Sequence, residues 1–205
     1  MQPDYGLSIG TAATTTPITI DEALAQLRVD STEEFPYIRG LVRKAVRFIE
    51  ETEDRTLVNT GRQMSLDEFP CGASLIKIPR SPVQAITSIV YINSTGGNTT
   101  MPSSDYLVQT NRMPGRIAPI YGGSWPTARE QIGSVTITYQ AGYGGSTASS
   151  TQSVEAVPET DKHVIALLVA HWFENREPVN IGNIVNAIPH TVATLLAAES
   201  PGRYP

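Results

Sequence analysis

Residues 157–179 read VPETDKHVIALLVAHWFENREPV, the densest apolar run in the chain. Its large apolar side chains are Val164, Ile165, Leu167, Leu168, Val169, Trp172 and Phe173. They cover more of a helical surface than one stripe needs, which predicts a buried central helix over 158–175. Pro158 suits the first turn, where a missing N–H costs nothing. Glu159 and Asp161 stand at the positive end of the helix dipole and Arg176 at the negative end. Pro178 forbids continuation and pushes Glu177 towards extended backbone.

A helix buried this widely needs neighbours, and the flanking sequence supplies them. Thr19 with Glu22 is a capping-box pattern that opens a short helix over 19–29, with Ala23, Leu24 and Leu27 as its stripe. A longer helix is predicted over 32–54, where Phe35, Ile38, Val42, Ala45 and Ile49 recur three and four apart. Two strongly apolar stripes in a small domain should bury each other. Val42, Ile49, Leu168 and Trp172 are therefore the expected core, with Trp172 packed around Val42, Ala45 and Ile49. A last helix over 190–198 has Ile188, Val192, Leu195 and Leu196 on one side, and the tail SPGRYP at 200–205 cannot continue it.

The long helix also carries Arg39, Arg43 and Arg47 as a separate ridge at i, i+4 spacing. Glu50, Glu51 and Asp54 continue the same side, so Arg47 can pair with Glu50 or Glu51. One reading is a solvated, self-paired face; the other is contact with a partner protein or a phosphate backbone.

Between 57 and 143 the texture changes to short β-type runs broken by prolines. Strands are predicted at 63–68, 74–78, 85–93, 106–110, 115–120 and 134–141. Val135-Thr136-Ile137-Thr138-Tyr139 alternates, so one face is buried and one wet. Ser94-Thr95-Gly96-Gly97-Asn98 is the best hairpin turn. Residues 1–17, with the run TAATTTP, bury too little to offset their ordering entropy and read as a loose arm. GGSTASSTQS at 144–153 reads as a flexible linker. The expected fold is therefore α+β: mainly an α-helical bundle with a small inserted antiparallel β-sheet, as one domain over 18–199.

The formal charge of −5 argues against a binder that holds nucleic acid through excess positive charge. A lone Cys71 excludes an internal disulfide framework. No early segment resembles a secretory signal and no apolar run is long enough to span a bilayer, so the chain reads as soluble and intracellular in origin. Gly142-Tyr143-Gly144-Gly145 lacks the third glycine of a dinucleotide fingerprint, and no phosphate-cradling GxxxxGK[ST] occurs. Gly122-Gly123-Ser124 lacks the second flanking glycine of a nucleophile elbow. His171 and Glu174 share a helical edge, yet His163 and His190 complete no metal site with them. A binding or structural role is favoured over an enzyme, without cofactor or metal.

The order of the pieces resembles the head–tail connector (adaptor, or head-completion) proteins of tailed bacteriophages. Four stretches carry the resemblance. They are Ile18-Thr19-Ile20-Asp21-Glu22-Ala23 with Leu27-Arg28-Val29-Asp30, and the long helix ending in Glu50 to Asp54 followed by Arg55-Thr56-Leu57. Next come Ile78-Pro79-Arg80-Ser81-Pro82-Val83, Gly123-Ser124-Trp125-Pro126 and Tyr139-Gln140-Ala141-Gly142-Tyr143. The last is His171-Trp172-Phe173-Glu174-Asn175-Arg176-Glu177 with Ile188-Pro189 and Leu195-Leu196.

The resemblance implies a structural virion protein at the head–tail junction, assembled in the host cytoplasm. It implies a closed ring, about twelve-fold, of head-to-tail contacts. Its partners would be further copies of itself, the portal protein above and a stopper or tail-completion protein below. Double-stranded DNA would pass through without sequence-specific binding. Arg39, Arg43, Arg47, Leu195, Leu196, Arg203 and Tyr204 become candidates for the subunit or portal interface. A tail-completion protein lower in the neck and a DNA-binding or DNA-processing protein are the alternative readings.

Overall fold

The computed structural model describes residues 4–144, 156–176 and 190–199. Helix α1 (Ile20–Leu27) starts on the capping box: Glu22 N–H donates to Thr19 Oγ1 at 3.1 Å, and Thr19 N–H donates to Glu22 Oε2 at 2.6 Å. Arg28 ends it in the left-handed conformation, where its N–H bonds back to Ala25 and Leu24. A 3-10 turn (Thr32–Glu34) leads into helix α2 (Phe35–Thr52), with Pro36 in the first turn. Helix α3 (Glu159–Glu174) stops at Asn175, and helix α4 (His190–Glu199) follows. The stripes of the four helices meet in one apolar core that includes Ile38, Val42, Ile49, Val164, Leu168 and Leu196.

The remaining elements are strands: β1 (Tyr5–Thr11), β2 (Thr60–Leu66), β3 (Ile76–Ile78), β4 (Val83–Ile92), β5 (Asn98–Thr100), β6 (Tyr106–Gln109), β7 (Gly115–Pro119) and β8 (Val135–Ala141). They form a five-stranded antiparallel sheet in the order β1-β2-β8-β4-β5 and a three-stranded one in the order β3-β7-β6. Val135, Ile137, Tyr139 and Ala141 of the central strand β8 are all buried, as the alternation requires. The β4–β5 turn is closed by Asn93, whose Oδ1 accepts from the N–H groups of Thr95 and Gly97, with Gly96 at positive φ. A second apolar core lies among these strands, with Phe69 stacked on Trp125 at 5.0 Å.

The chain is therefore not mainly a helical bundle. Helix and strand are nearly equal, at 32% and 30%, so the β-region is half of the architecture rather than a small insertion. The sequence over-weights the helices because a 3.6-residue period accumulates over many residues, whereas each proline-bounded strand offers only a few. Two strands fall outside the predicted set. One is the three-residue β5. The other is β1, which lies within the segment read as a loose arm and pairs with β2 from Tyr5↔Leu66 to Thr11↔Gly61. Its order comes from the backbone ladder, since Leu7 alone of its seven side chains is even half-buried.

The predicted linker beyond Gly144, together with Glu177, Pro178, Ile188, Pro189, Arg203, Tyr204 and the tail at 200–205, lies outside the described residues.

Candidate functional site

Helix α2 buries Ile38, Val42, Ala45 and Ile49 against α3 and α1, which turns its i, i+4 arginines outward. They do not face open solvent alone. Strand β1 and the connector at 12–16 run alongside, leaving a cleft of about 940 Å³ between arm and helix. Arg39, Arg43, Arg47, Arg62 and Arg80 line it, with Glu50 and Glu51 as its carboxylates. Leu7, Ile9, Val42 and Val46 give it apolar wall, and Thr14, Thr15, Thr16 and Thr19 edge it. The register explains the apolar share. Leu7 lies opposite Met64 and Ile9 opposite Arg62, so the same side of β1 that continues the sheet's inner face looks into the cleft.

The five guanidinium groups are not equivalent. Arg62 is buried; its Nε donates to Thr56 Oγ1 at 2.9 Å and its Nη2 lies 3.7 Å from Glu50 Oε2. Burial holds the Arg62 guanidinium below its ordinary pKa, and the Glu50 charge opposes this. Arg80, itself left-handed at φ 61°, donates to the Glu50 carbonyl oxygen and pairs with Asp54 at 3.3 Å. Glu50 accepts from the Leu57 N–H at 2.8 Å. Burial raises the Glu50 carboxyl above its usual range, opposed by the Leu57 N–H and the two arginines. Arg47 pairs with Glu51 at 2.8 Å, 81% and 54% exposed, a geometry that contributes little to stability. Arg39 and Arg43, both exposed, form no ion pair among the described residues.

The cleft thus inverts the sign of a chain whose formal charge is −5. Guanidinium groups stay charged and present planar forks of donors, so this chemistry recognises carboxylate or phosphate rather than moving protons.

The structure brings Arg39, Arg43 and Arg47 together on this cleft and places the other candidates elsewhere. Leu196 is buried in the chain's own helical core and Leu195 is half-buried against it. Val42, Ile49 and Leu168 are buried in that core. Trp172 is half-buried and stands edge-on to Phe48 at 6.2 Å, with Lys44 Nζ 4.4 Å above its ring. It contacts the long helix on its outer flank, one step round from Val42 and Ile49.

Sequence reasoning missed Arg62 and Arg80, and also a buried ion pair. Arg55 and Asp161 are 1% and 0% exposed and meet through two bonds, Nη1–Oδ2 at 3.2 Å and Nη2–Oδ1 at 2.9 Å. A signal existed for Asp161. It shares the 161, 164, 165, 168 stripe, so a carboxylate on the buried face needed a cation. Arg62 was readable likewise, as the polar member of the inward set Arg62, Met64, Leu66. Arg55 and Arg80 offered no such pattern.

No protein-family model and no curated protein matches the chain. Among solved structures, it is similar to a chain in the neck of an empty gene transfer agent particle computed with C6 symmetry: 22% identity, 97% of this chain and 96% of that one covered, TM-score 0.76. A chain of the native gene transfer agent virion matches with TM-score 0.75 at 22% identity over 96% of both chains. One from the native neck computed with C12 symmetry matches with TM-score 0.69 at 21% identity, over 97% and 96%. The fold is thus the one found in the neck of these phage-like particles, end to end.

Proposed function

We propose that this chain is a structural component of the neck of a phage-like particle, one copy in a closed ring around the DNA channel. The observation that carries this reading is the shared fold, which spans nearly the whole of both chains at TM-score 0.76. The neck particles of the similar chains were computed with C6 and C12 symmetry, and a closed ring of copies obeys such operators. In this reading the ring sits between the portal and the tail-side proteins, and its work is scaffolding rather than catalysis.

A cyclic ring uses head-to-tail contacts, in which one patch meets a different patch of the next copy. The arginine cleft and the acidic remainder of the surface form such a complementary pair. Arg39 and Arg43 are the members free of ion pairs among the described residues, so they are the contact groups assigned to the neighbour's carboxylates. Residual DNA passing the channel meets a net acidic protein, which does not retain it.

The test is assembly. Light scattering after size exclusion, with and without portal rings, should find a ring or a ring-on-portal complex. Arg43→Glu should weaken that assembly, more so at low salt than at high salt, while the monomer stays folded. A monomer in both settings, or an Arg43→Glu protein that assembles like the parent at all ionic strengths, refutes the assignment.

A further inference from the structure

Strand β1 is held to its own domain in an unusual way. It forms the edge of the five-stranded sheet, its register with β2 runs from Tyr5 to Thr11, and the register shifts between Ile9 and Thr11. Six of its seven residues are exposed; Tyr5 is 46% and Ile9 59% accessible although both lie on the sheet's inner side. Backbone hydrogen bonds and one half-buried side chain, Leu7, are what anchor it. Behind it, residues 12–15 are exposed, and the chain is next buried at Pro17 and Ile18. Arm, connector and helix α2 all line the cleft.

We propose that β1 is an exchangeable strand: within the ring each copy lends residues 5–11 to β2 of its neighbour. This rests on the ring reading above and names one of its contacts. The exchange replaces each β1–β2 bond with an identical one between copies, so the ladder and the Leu7 contact are preserved at little cost. The six steps from Thr11 to Pro17 span about 20 Å when extended, which sets how far the strand can be lent. Composition favours it too. YGLSIGT has two glycines and alternates small with apolar residues, a strand whose backbone pairing is stronger than its side-chain specificity. The exposed inner faces of Tyr5 and Ile9 also gain cover when the next copy lies against them.

Two single-cysteine variants test this, each in a Cys71→Ser background: Ser8→Cys and Gln63→Cys, positions directly paired in the β1–β2 register. Neither can form the disulfide within one chain. The two are co-expressed, oxidised and run on a non-reducing gel, with the assembly mass measured by light scattering. Exchange predicts a disulfide-linked dimer, absent from either variant alone, at about one interface in four for equal random mixing. A ring mass without that dimer overturns the exchange and leaves the ring reading standing. A monomeric mass without the dimer overturns both. As a second measurement, a chain lacking residues 1–11 should stay folded by circular dichroism yet lose its oligomeric mass; an unchanged oligomer also overturns the exchange.

Discussion

Replacing Asp161 by asparagine should destabilise the protein by about 3–5 kcal/mol. The substitution keeps the shape and removes the charge that two Arg55 bonds of 2.9 and 3.2 Å now reach. Arg55 is 1% exposed and cannot turn to water, so its guanidinium would stay buried with one weaker partner. Burial pulls the Arg55 pKa down; the Asp161 charge and bonds, with a further bond to Tyr143, hold it above the ordinary value, so the group stays ionised whatever the pH of the assay. In a chain of 205 residues each kcal/mol moves the melting point by about 2–4 °C, so a fall of about 6–20 °C is expected. Equilibrium denaturation at neutral pH reads the free energy directly. Tryptophan fluorescence reports both halves, since Trp125 lies in the sheet core and Trp172 against the helical one. The double variant Arg55→Met with Asp161→Leu separates charge from packing. Arg55 Nε is buried without a hydrogen-bond partner, so the pair is not fully satisfied, and an apolar replacement should recover most of the loss. A loss below about 1 kcal/mol for Asp161→Asn would refute the reasoning, because it would mean that water reaches the guanidinium. So would a double variant as unstable as the sum of the single ones.

Trp172→Ala should cost about 2–3 kcal/mol by thermal melting, less than a fully buried tryptophan, because the ring is only half-covered by Phe48 and Lys44. Leu196→Ser should lower stability and soluble yield rather than merely weaken assembly, since Leu196 is 5% exposed in the chain's own core; a normally melting variant that fails to join portal rings would reverse that assignment. Glu50→Gln tests a carboxyl raised chiefly by burial. A raised folded pKa adds stability below the unfolded value and loses it as pH climbs through the folded one. The melting point of the variant minus that of the parent should therefore grow between about pH 4 and pH 7; a difference that shrinks would mean the arginines outweigh the burial.

Much of the helical half was legible because its signals are local. Thr19 and Glu22 fix a helix start with one pair of side chains, and the three- and four-residue spacing from Ile38 to Ile49 marks the long helix. Six of the eight strands among the described residues were legible, but the extent of the sheets was not. Ile137 and Tyr139 announce a buried face, yet nothing in the sequence tells how many neighbours β8 has on either side. Strand β1 shows the limit most clearly. YGLSIGT is ordered by ladder bonds to residues 61–66, and the backbone that makes them is the same for every sequence. The cleft was half legible for a related reason. The Arg39/Arg43/Arg47 ridge follows from helical spacing alone, whereas Arg62 and Arg80 join it through a fold that brings residues 62 and 80 beside the end of α2.

That junction also explains why only part of the cleft is available to a partner. Asp54 and Arg80 face each other across it, both non-glycine residues at positive φ, 50° and 61°. Such backbone costs of order 1–3 kcal/mol per residue and persists where surrounding bonds over-determine it. Here they do. The Asp54–Arg80 pair, the Arg80 bond to the Glu50 carbonyl, the Glu50–Leu57 bond and the Arg62–Thr56 bond tie the end of α2 to the strands that follow. Those contacts join the helical core to the sheet core, and they commit the two inner arginines to intramolecular work. The two outer ones, Arg39 and Arg43, sit farther up the helix, where no carboxylate of the described chain pairs with them. An arriving carboxylate therefore meets cations at the mouth without displacing Glu50 or Asp54 from the junction. In the proposed ring a neighbouring copy would bind there without loosening the contacts at the end of α2.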